Sequence, residues 1–317
     1  MRRHAAMSTI AFFGWLVPLS ALSVGCGGAE ADSGSSATGG AGGATPWLDA
    51  SSQEDVAPEE RFSFFVTSLA VLRTLSGNPD GFGGDLRFGQ ADGLSGADEI
   101  CRQISLQSMP GNRKTWHAFL SVTKGPSGQP VHAIDRIGVG PWYDRQGRLV
   151  AENRADLAQA RPRGADPAIY NDLPNETGTP NHNPDGTGNV DNHDMLTGTN
   201  ASGTLYSQDW GSTCHDWTSI VGTDGRPRCG HTWPTGGFGG PGGPIGGRDG
   251  GGGFPPGFDA GGGNGGVGDL ANWMSALDEA GCAPGVHLVE MGPPNTMVRT
   301  VGSGGGYGGF YCFALSP

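Results

Sequence analysis

Apolar positions fall along this chain in short, separate bursts, and each burst has its own period. Arg61–Ser68 (RFSFFVTS) gathers aromatic and β-branched residues, which predicts a strand. Ser95–Ser105 opens on a Ser with acids in its first turn. It sets Ala97, Ile100, Cys101 and Ile104 on one face, which predicts a helix. Trp116–Thr123 (WHAFLSVT) reads as a strand, and Pro141–Val150 as strand residues around a turn. Leu270–Ala280 carries Trp273, Met274 and Leu277 on one stripe and is expected to be a helix. Val286–Val289 and Gly309–Ala314 (GFYCFA) read as closing strands. Two helices, several short strands and long irregular loops predict an α+β domain over residues 61–317.

The stretches between the bursts lack the side chains to make a core. From Gly27 to about Glu60 the chain is Gly, Ala, Ser, Thr and acid, a composition that cannot offset its ordering entropy and predicts a flexible tether. Gly236–Gly268 has Gly doublets and quadruplets with Phe238, Phe254 and Phe258 thinly spaced, and no collagen period. It reads as a disordered insertion, placed inside the domain because apolar segments with Cys282 and Cys312 follow it. Asp172–Asp194, rich in Asn, Asp, Gly and Pro, is a third open region.

The N-terminus changes the picture. Arg2 and Arg3 precede the apolar run Ile10–Val24, which is shorter than the ~20 residues a spanning helix needs and has the size of a signal-peptide core. The run leads into Leu22-Ser23-Val24-Gly25-Cys26, which resembles a lipobox with Ser23 where Leu is usual. Residues 1–25 are therefore expected to be a signal peptide and 26–60 a linker anchored by lipid on Cys26. The mature protein would be held on a membrane, at the outer membrane or cell surface. Ordinary cleavage nearby would instead release a soluble protein. Loss of Arg2 and Arg3 takes the net charge from −12 to −14. That balance argues against nucleic acid and other polyanions as partners.

Cys26, Cys101, Cys214, Cys229, Cys282 and Cys312 remain after the leader, and in an exported chain they read as disulfide-forming. Spacing assigns no pairs, since no CxxC occurs. Gly93-Leu94-Ser95-Gly96-Ala97-Asp98-Glu99-Ile100-Cys101 followed by Trp116-His117-Ala118-Phe119-Leu120-Ser121 resembles the "GxxGADxxC … AFLS" signature of endostatin and related C-type-lectin-like domains. Asp194–Thr199, Cys214–Ser219 (CHDWTS) and Gly309–Phe313 follow in matching order. With Phe64–Ser68 at its head, the same order resembles a lipoprotein domain of spirochaetes and myxobacteria. The resemblance covers about residues 62–315 outside the Gly-rich tract. It implies a C-type-lectin-like (endostatin-like) fold with nested disulfides, Cys101–Cys312 outside and Cys214–Cys282 inside. In the chain-entropy model such loops contribute roughly 4–5 kcal/mol each. Cys229 is left over and would stay free. It competes with Cys214 for Cys282, and the place of Cys214 in the CHDWTS motif favours Cys214.

No GxSxG, HExxH, phosphate loop or dinucleotide fingerprint occurs. Calcium is one candidate cofactor. Asn181, Asn183, Asp185 and Asn189 place side-chain oxygens at positions 1, 3, 5 and 9 of a loop, with Gly186 at position 6. Pro184 interrupts that loop and Asn192 stands where a bidentate Glu is expected, so a plain polar turn accounts for the same residues. Zinc is the other candidate. His182, His193, His215 and His231 lie near Asp185, Asp194 and Asp216, but no pair has helical i, i+4 spacing, and solvated or hydrogen-bonded histidines explain them more simply. His117 is expected to make a core hydrogen bond. Trp142, Trp217 and Trp233, with Asp216, are candidates for a sugar-stacking surface, although tryptophans in a small domain more often fill the core. The expected function is non-catalytic binding of an extracellular protein or glycan. The alternatives are a metal-assisted hydrolase built on the His/Asp cluster, which requires three of those groups to converge around a cavity, and a structural envelope protein.

Overall fold

Phe62 and Phe64–Val66 are apolar without strict alternation because both faces of the strand they form are covered, and every residue from 62 to 66 is buried, Ser63 included. In the computed structural model, which describes residues 58–184, 192–233, 272–288 and 296–316, this segment gives β1 (Phe64–Val66) after a one-turn helix α1 (Pro58–Arg61). By its contacts the chain divides between Gln53 and Glu54. The expected leader, the expected lipidation at Cys26, residues 26–57 of the expected linker and the Gly-rich tract 236–268 lie outside the described residues.

The next two helices have well-formed ends. α2 (Leu69–Ser76), not foreseen in the sequence, is capped by Ser68, whose hydroxyl accepts from the Val71 N–H, and stops at Gly77 in left-handed backbone. α3 (Gly93–Ser108) starts two residues before the expected helix. Its cap is Asp92, which accepts from the Ser95 N–H and hydroxyl. β2 (Trp116–Ala118) is shorter than the predicted strand. After the turn α4 (Ala133–Arg136), the hairpin β3 (Trp142–Tyr143) and β4 (Leu149–Ala151) follows as expected. Its bend is held by Asp144, which accepts from the N–H groups of Gln146 and Arg148 and from the Arg148 guanidinium. Then come α5 (Arg154–Leu157), β5 (Asp194–Leu196), β6 (Arg228–His231), β7 (Leu277–Asp278), β8 (Gly306–Gly309) and β9 (Tyr311–Ala314).

Among the described residues three small sheets result. β9 is the centre of the first, between β1 and β2, both antiparallel to it; β3 pairs with β4; and the third has the order β7-β6-β5-β8. The architecture is thus mixed, with few helices and several small sheets. The rings of Phe119, Trp142, Trp273, Tyr311 and Phe313 form its centre, with Trp273 4.9 Å from Phe119 and 5.0 Å from Tyr311. Cys101 on α3 is bonded to Cys312 on β9, so the helix is tied to the central strand. The second disulfide joins Cys214 and Cys282, and Cys229 on β6 is a buried free thiol.

Two expected elements are not formed. Residues 272–280 are not helical but extended, with only Leu277–Asp278 in a strand. The carbonyls that a helix would satisfy internally take hydroxyl donors from elsewhere: Trp273 from Tyr311, and Met274 from Thr197 and Thr199. The Trp273 indole N–H reaches the Leu157 carbonyl. These tertiary bonds override the helical spacing of the apolar stripe. Residues 286–288 form no strand, although the His287 N–H donates to Gly306.

Glu176 ties the start of α2 to the long middle loop, accepting from the Ser68 hydroxyl at 2.6 Å and its N–H at 3.0 Å. Burial pushes its carboxyl above the usual range, with the Ser68 bonds opposing. A raised folded-state value means that Glu176 contributes stability in full below its ordinary value of 4.5 and loses it as pH rises through the raised value. Urea unfolding between pH 4.5 and 7 should therefore show a smaller decline for Glu176→Gln than for the wild type. Equal slopes would contradict the assignment.

Candidate functional site

The CHDW segment, read in the sequence as a source of ligand-binding residues, builds a platform instead. Cys214–Trp217 is a helical turn wound left-handed, with φ of 47°, 57°, 57° and 63° at its four residues. Left-handed backbone costs L-residues on the order of 1–2 kcal/mol each and is normally visited singly, so a run of four has to be held by its surroundings. Three groups hold it. Cys214 is bonded to Cys282. The Asp216 carboxylate accepts from the N–H of Thr123 (2.6 Å) and of Lys124 (3.1 Å) and from the hydroxyls of Thr123 and Thr213. Trp217 is fully buried, and its indole N–H donates to the Ser121 carbonyl at 2.9 Å.

The segment 81–93 lies on this turn. The Gly84 N–H donates to Cys282 and the Leu86 N–H to the Trp217 carbonyl, and Asp85 bridges Thr218. A Cβ on Gly84 would lie 2.6 Å from that of Cys214, and one on Gly93 2.4 Å from the Asp216 carbonyl oxygen, so only glycine permits the approach. Between this segment, the end of α2, Ile220 and Pro284 is an open cleft of about 490 Å³. Phe82 and Phe88 meet edge to face in its wall, 5.6 Å apart, and Phe88 has a left-handed φ of 45°. Polar groups alternate with the rings: Asn78, Gln90 and the pair Asp85–Arg87, in which both guanidinium bonds are made, at 2.9 and 2.5 Å. Burial pushes the Asp85 carboxyl up. The Arg87 hydrogen bonds and charge outweigh it and hold the carboxyl below the usual range, so Asp85 is anionic at neutral pH. These residues were not singled out from the sequence. Their signal was the run GFGGDLRFGQ, glycines spacing two phenylalanines and an ion pair.

The other candidates are dispersed. Trp142 is a core residue whose indole N–H donates to Ala314, and Trp217 lies beneath the cleft, so neither offers a face to a ligand. Trp233 is half-buried and stacks on the His182 ring at 4.4 Å and 3°. Asn181, proposed as a calcium ligand, is buried and donates to the Asn192 carbonyl and the Tyr307 hydroxyl, which in turn donates to Thr67. Its side chain is thus committed to the fold. Asn183 is described and has an interaction of its own, and Asp185 lies outside the described residues. His117 makes its hydrogen bond through Nδ1 to the Arg136 carbonyl.

Of the histidines weighed for zinc, His182 pairs with Asp172 and His215 lies 3.8 Å from Asp224. His193 and His231 behave differently. β5 and β6 pair antiparallel with Asp194 directly opposite His231, which puts both side chains on one face of the sheet. His231 Nε2 is 2.8 Å and His193 Nε2 3.6 Å from Asp194 Oδ1, and one ligand atom from each residue lies within 4.8 Å of the other two. All three are buried, at 4, 1 and 1% exposure for His193, Asp194 and His231. Arg161 clamps the end of β6 by donating to the carbonyls of both His231 and Thr232 at 2.9 Å. Desolvation in its buried position lowers its pKa to about 10.

In sequence comparisons the chain matches no protein-family model and no curated protein.

Proposed function

We propose that this chain is an exported, non-catalytic binding protein, lipid-anchored through Cys26, whose domain is C-type-lectin-like and takes a glycan in the cleft beside Phe82 and Phe88. The cleft carries this reading. A sugar offers apolar C–H faces and neighbouring hydroxyls that both donate and accept. The wall answers with two aromatic rings, two amides, a carboxylate and a guanidinium. An open cleft suits a chain end presented from outside, and the acidic balance of the protein favours a neutral or cationic ligand over a polyanion. Export and the C-type-lectin-like reading are supported by the pairs Cys101–Cys312 and Cys214–Cys282, which are those the resemblance implies and which need an oxidising compartment.

Hydrolysis at the His193–Asp194–His231 group is the second reading, favoured by their convergence. It requires a substrate to reach these atoms, whereas all three side chains are buried, so the cleft supports binding better.

An oligosaccharide array probed with the oxidised protein tests the proposal. Binding is expected to a restricted set of glycans. Arg87→Ala, which breaks the Asp85 pair at the exposed rim, should weaken it at least tenfold while Tm moves by less than ~2 °C. Absence of any glycan signal, or equal binding by Arg87→Ala, would refute the glycan assignment.

A further inference from the structure

We infer that His193, Asp194 and His231 form a binding site for a divalent transition-metal ion of the zinc class, which clasps β5, β6 and the turn before β8. The site is independent of the glycan cleft.

The strand register brings the ligands together. Asp194 and His231 are cross-strand partners, and His193 precedes Asp194 where β5 begins. Gly305 sets the His193 ring: a Cβ there would lie 2.2 Å from His193 Cε1, so the ring rests against bare backbone. Gly305 is in turn positioned by Glu279, whose carboxylate accepts from the Ser303 hydroxyl at 2.5 Å and the Gly304 N–H at 2.7 Å. The Gly305 carbonyl accepts from the N–H groups of His193 and Asp194. Two chain segments distant from it in sequence, Glu279 and the 303–305 turn, thus fix one imidazole.

The spacing fits a small tetrahedral ion. With metal–ligand bonds of about 2.0–2.1 Å, the ligands of a tetrahedron stand roughly 3.3 Å apart. The separations of 2.8 and 3.6 Å from Asp194 Oδ1 to the two Nε2 atoms bracket that value. The two imidazole planes are nearly perpendicular, at 85°, with centroids 4.9 Å apart, so they converge from different sides instead of stacking. The rival arrangement is a buried imidazolium–carboxylate pair. It would turn one ring N–H onto Asp194, yet the 2.8 Å contact lacks hydrogen-bond geometry, and neither Asp194 oxygen accepts a hydrogen bond among the described residues. A fully buried carboxylate left in that condition is costly, and a dication supplies what it lacks.

Ligand type selects the metal class. Two imidazoles and one carboxylate suit zinc and its neighbours, whereas calcium and magnesium take oxygen ligands throughout. The cation site therefore differs from the calcium loop expected at 181–189 in both place and chemistry.

The test uses the full-length oxidised chain, stripped with a chelator and dialysed against Zn²⁺. Plasma mass spectrometry should find one zinc per chain, and Tm should rise by at least 5 °C over the stripped protein. Asp194→Asn and His231→Gln keep size and burial and should lower zinc affinity more than 100-fold. His182→Gln and His215→Gln, at the histidines outside the group, should bind as the wild type does. Should the buried variants fail to fold, Co²⁺ loaded into the wild type decides: the intense visible bands of a tetrahedral N/O site are expected. Overturning results would be no retained zinc in the wild type, full retention by folded Asp194→Asn and His231→Gln, loss of zinc with His182→Gln, or a weak octahedral Co²⁺ spectrum.

Discussion

Replacing Cys101 and Cys312 together by alanine will destabilise the domain more than any single substitution at its surface. The bond closes a loop with a sequence separation of 211 residues. In the chain-entropy model a loop of that size contributes about 5 kcal/mol. For a domain of this size 1 kcal/mol corresponds to about 2–4 °C, so a fall in Tm of about 10–20 °C is expected, and folding at 37 °C is at risk. Both sulfurs sit in the core, with Cys101 on the buried face of α3 and Cys312 in the central strand, so the packing of α3 on β2 and β9 loosens as well. Removing Cys214–Cys282, with a separation of 68, should cost about 4 kcal/mol by the same model. That second loss should also release the left-handed turn beneath the cleft. Differential scanning calorimetry of the two double variants checks both; a fall of less than 3 °C for Cys101/Cys312 would contradict the assigned role.

Asp216→Ala should give the largest effect of any change at a partly exposed position. Its carboxylate is the shared acceptor for two backbone N–H groups and two hydroxyls, and it anchors four consecutive left-handed residues. Hydrogen bonds to a charged acceptor contribute about 1.5–3 kcal/mol, and orphaned donors add to the loss. A destabilisation of about 3 kcal/mol follows, read as a Tm decrease of roughly 6–12 °C. His215→Gly is the control. His215 has the same left-handed backbone and a partly exposed side chain, so relief of its φ should offset the added chain entropy and leave Tm within ~3 °C. If Asp216→Ala and His215→Gly behave alike, the carboxylate does not hold the turn. Glycan binding should weaken with Asp216→Ala although no Asp216 atom lines the cleft, because the segment 81–93 rests on the turn.

Much of the framework was legible in the sequence, and the reasons for the rest are physical. Phe64–Val66 and Tyr311–Ala314 declared themselves because both faces of each strand are buried, and α3 did so because its apolar face keeps helical spacing along Ala97, Ile100, Cys101 and Ile104. The disulfide pairing was reachable only through motif resemblance, since spacing alone cannot choose among six cysteines. The helix expected at 270–280 failed because hydroxyls of Thr197, Thr199 and Tyr311 bind the backbone carbonyls there, and such long-range partners leave no local trace. α2 was missed although Ser68 and Gly77 marked both its ends. Trp217 takes the core place that tryptophans in a small domain usually fill, and Asp216 holds the turn beside it, a role with no sign in the sequence. Polar and aromatic residues in a loop motif look like a binding surface until the left-handed backbone that requires them is known. Three of the seven histidine and aspartate candidates for a metal met as the hydrolase reading required, but around a buried strand pair and not around a cavity.

The central claim is that the domain binds through the cleft formed by segment 81–90, Asn78 and Ile220 on the disulfide-held turn. The most direct measurement is a ¹H–¹⁵N chemical-shift titration of the labelled, oxidised protein with the soluble glycan that binds best on the array. The account predicts saturable shifts confined to Asn78, Asp85, Arg87, Phe88, Gln90 and Ile220, with the other five needing at least tenfold more glycan to shift when Arg87→Ala is titrated. Shifts centred instead on Trp233 and His182, with the cleft unchanged at saturation, would contradict it.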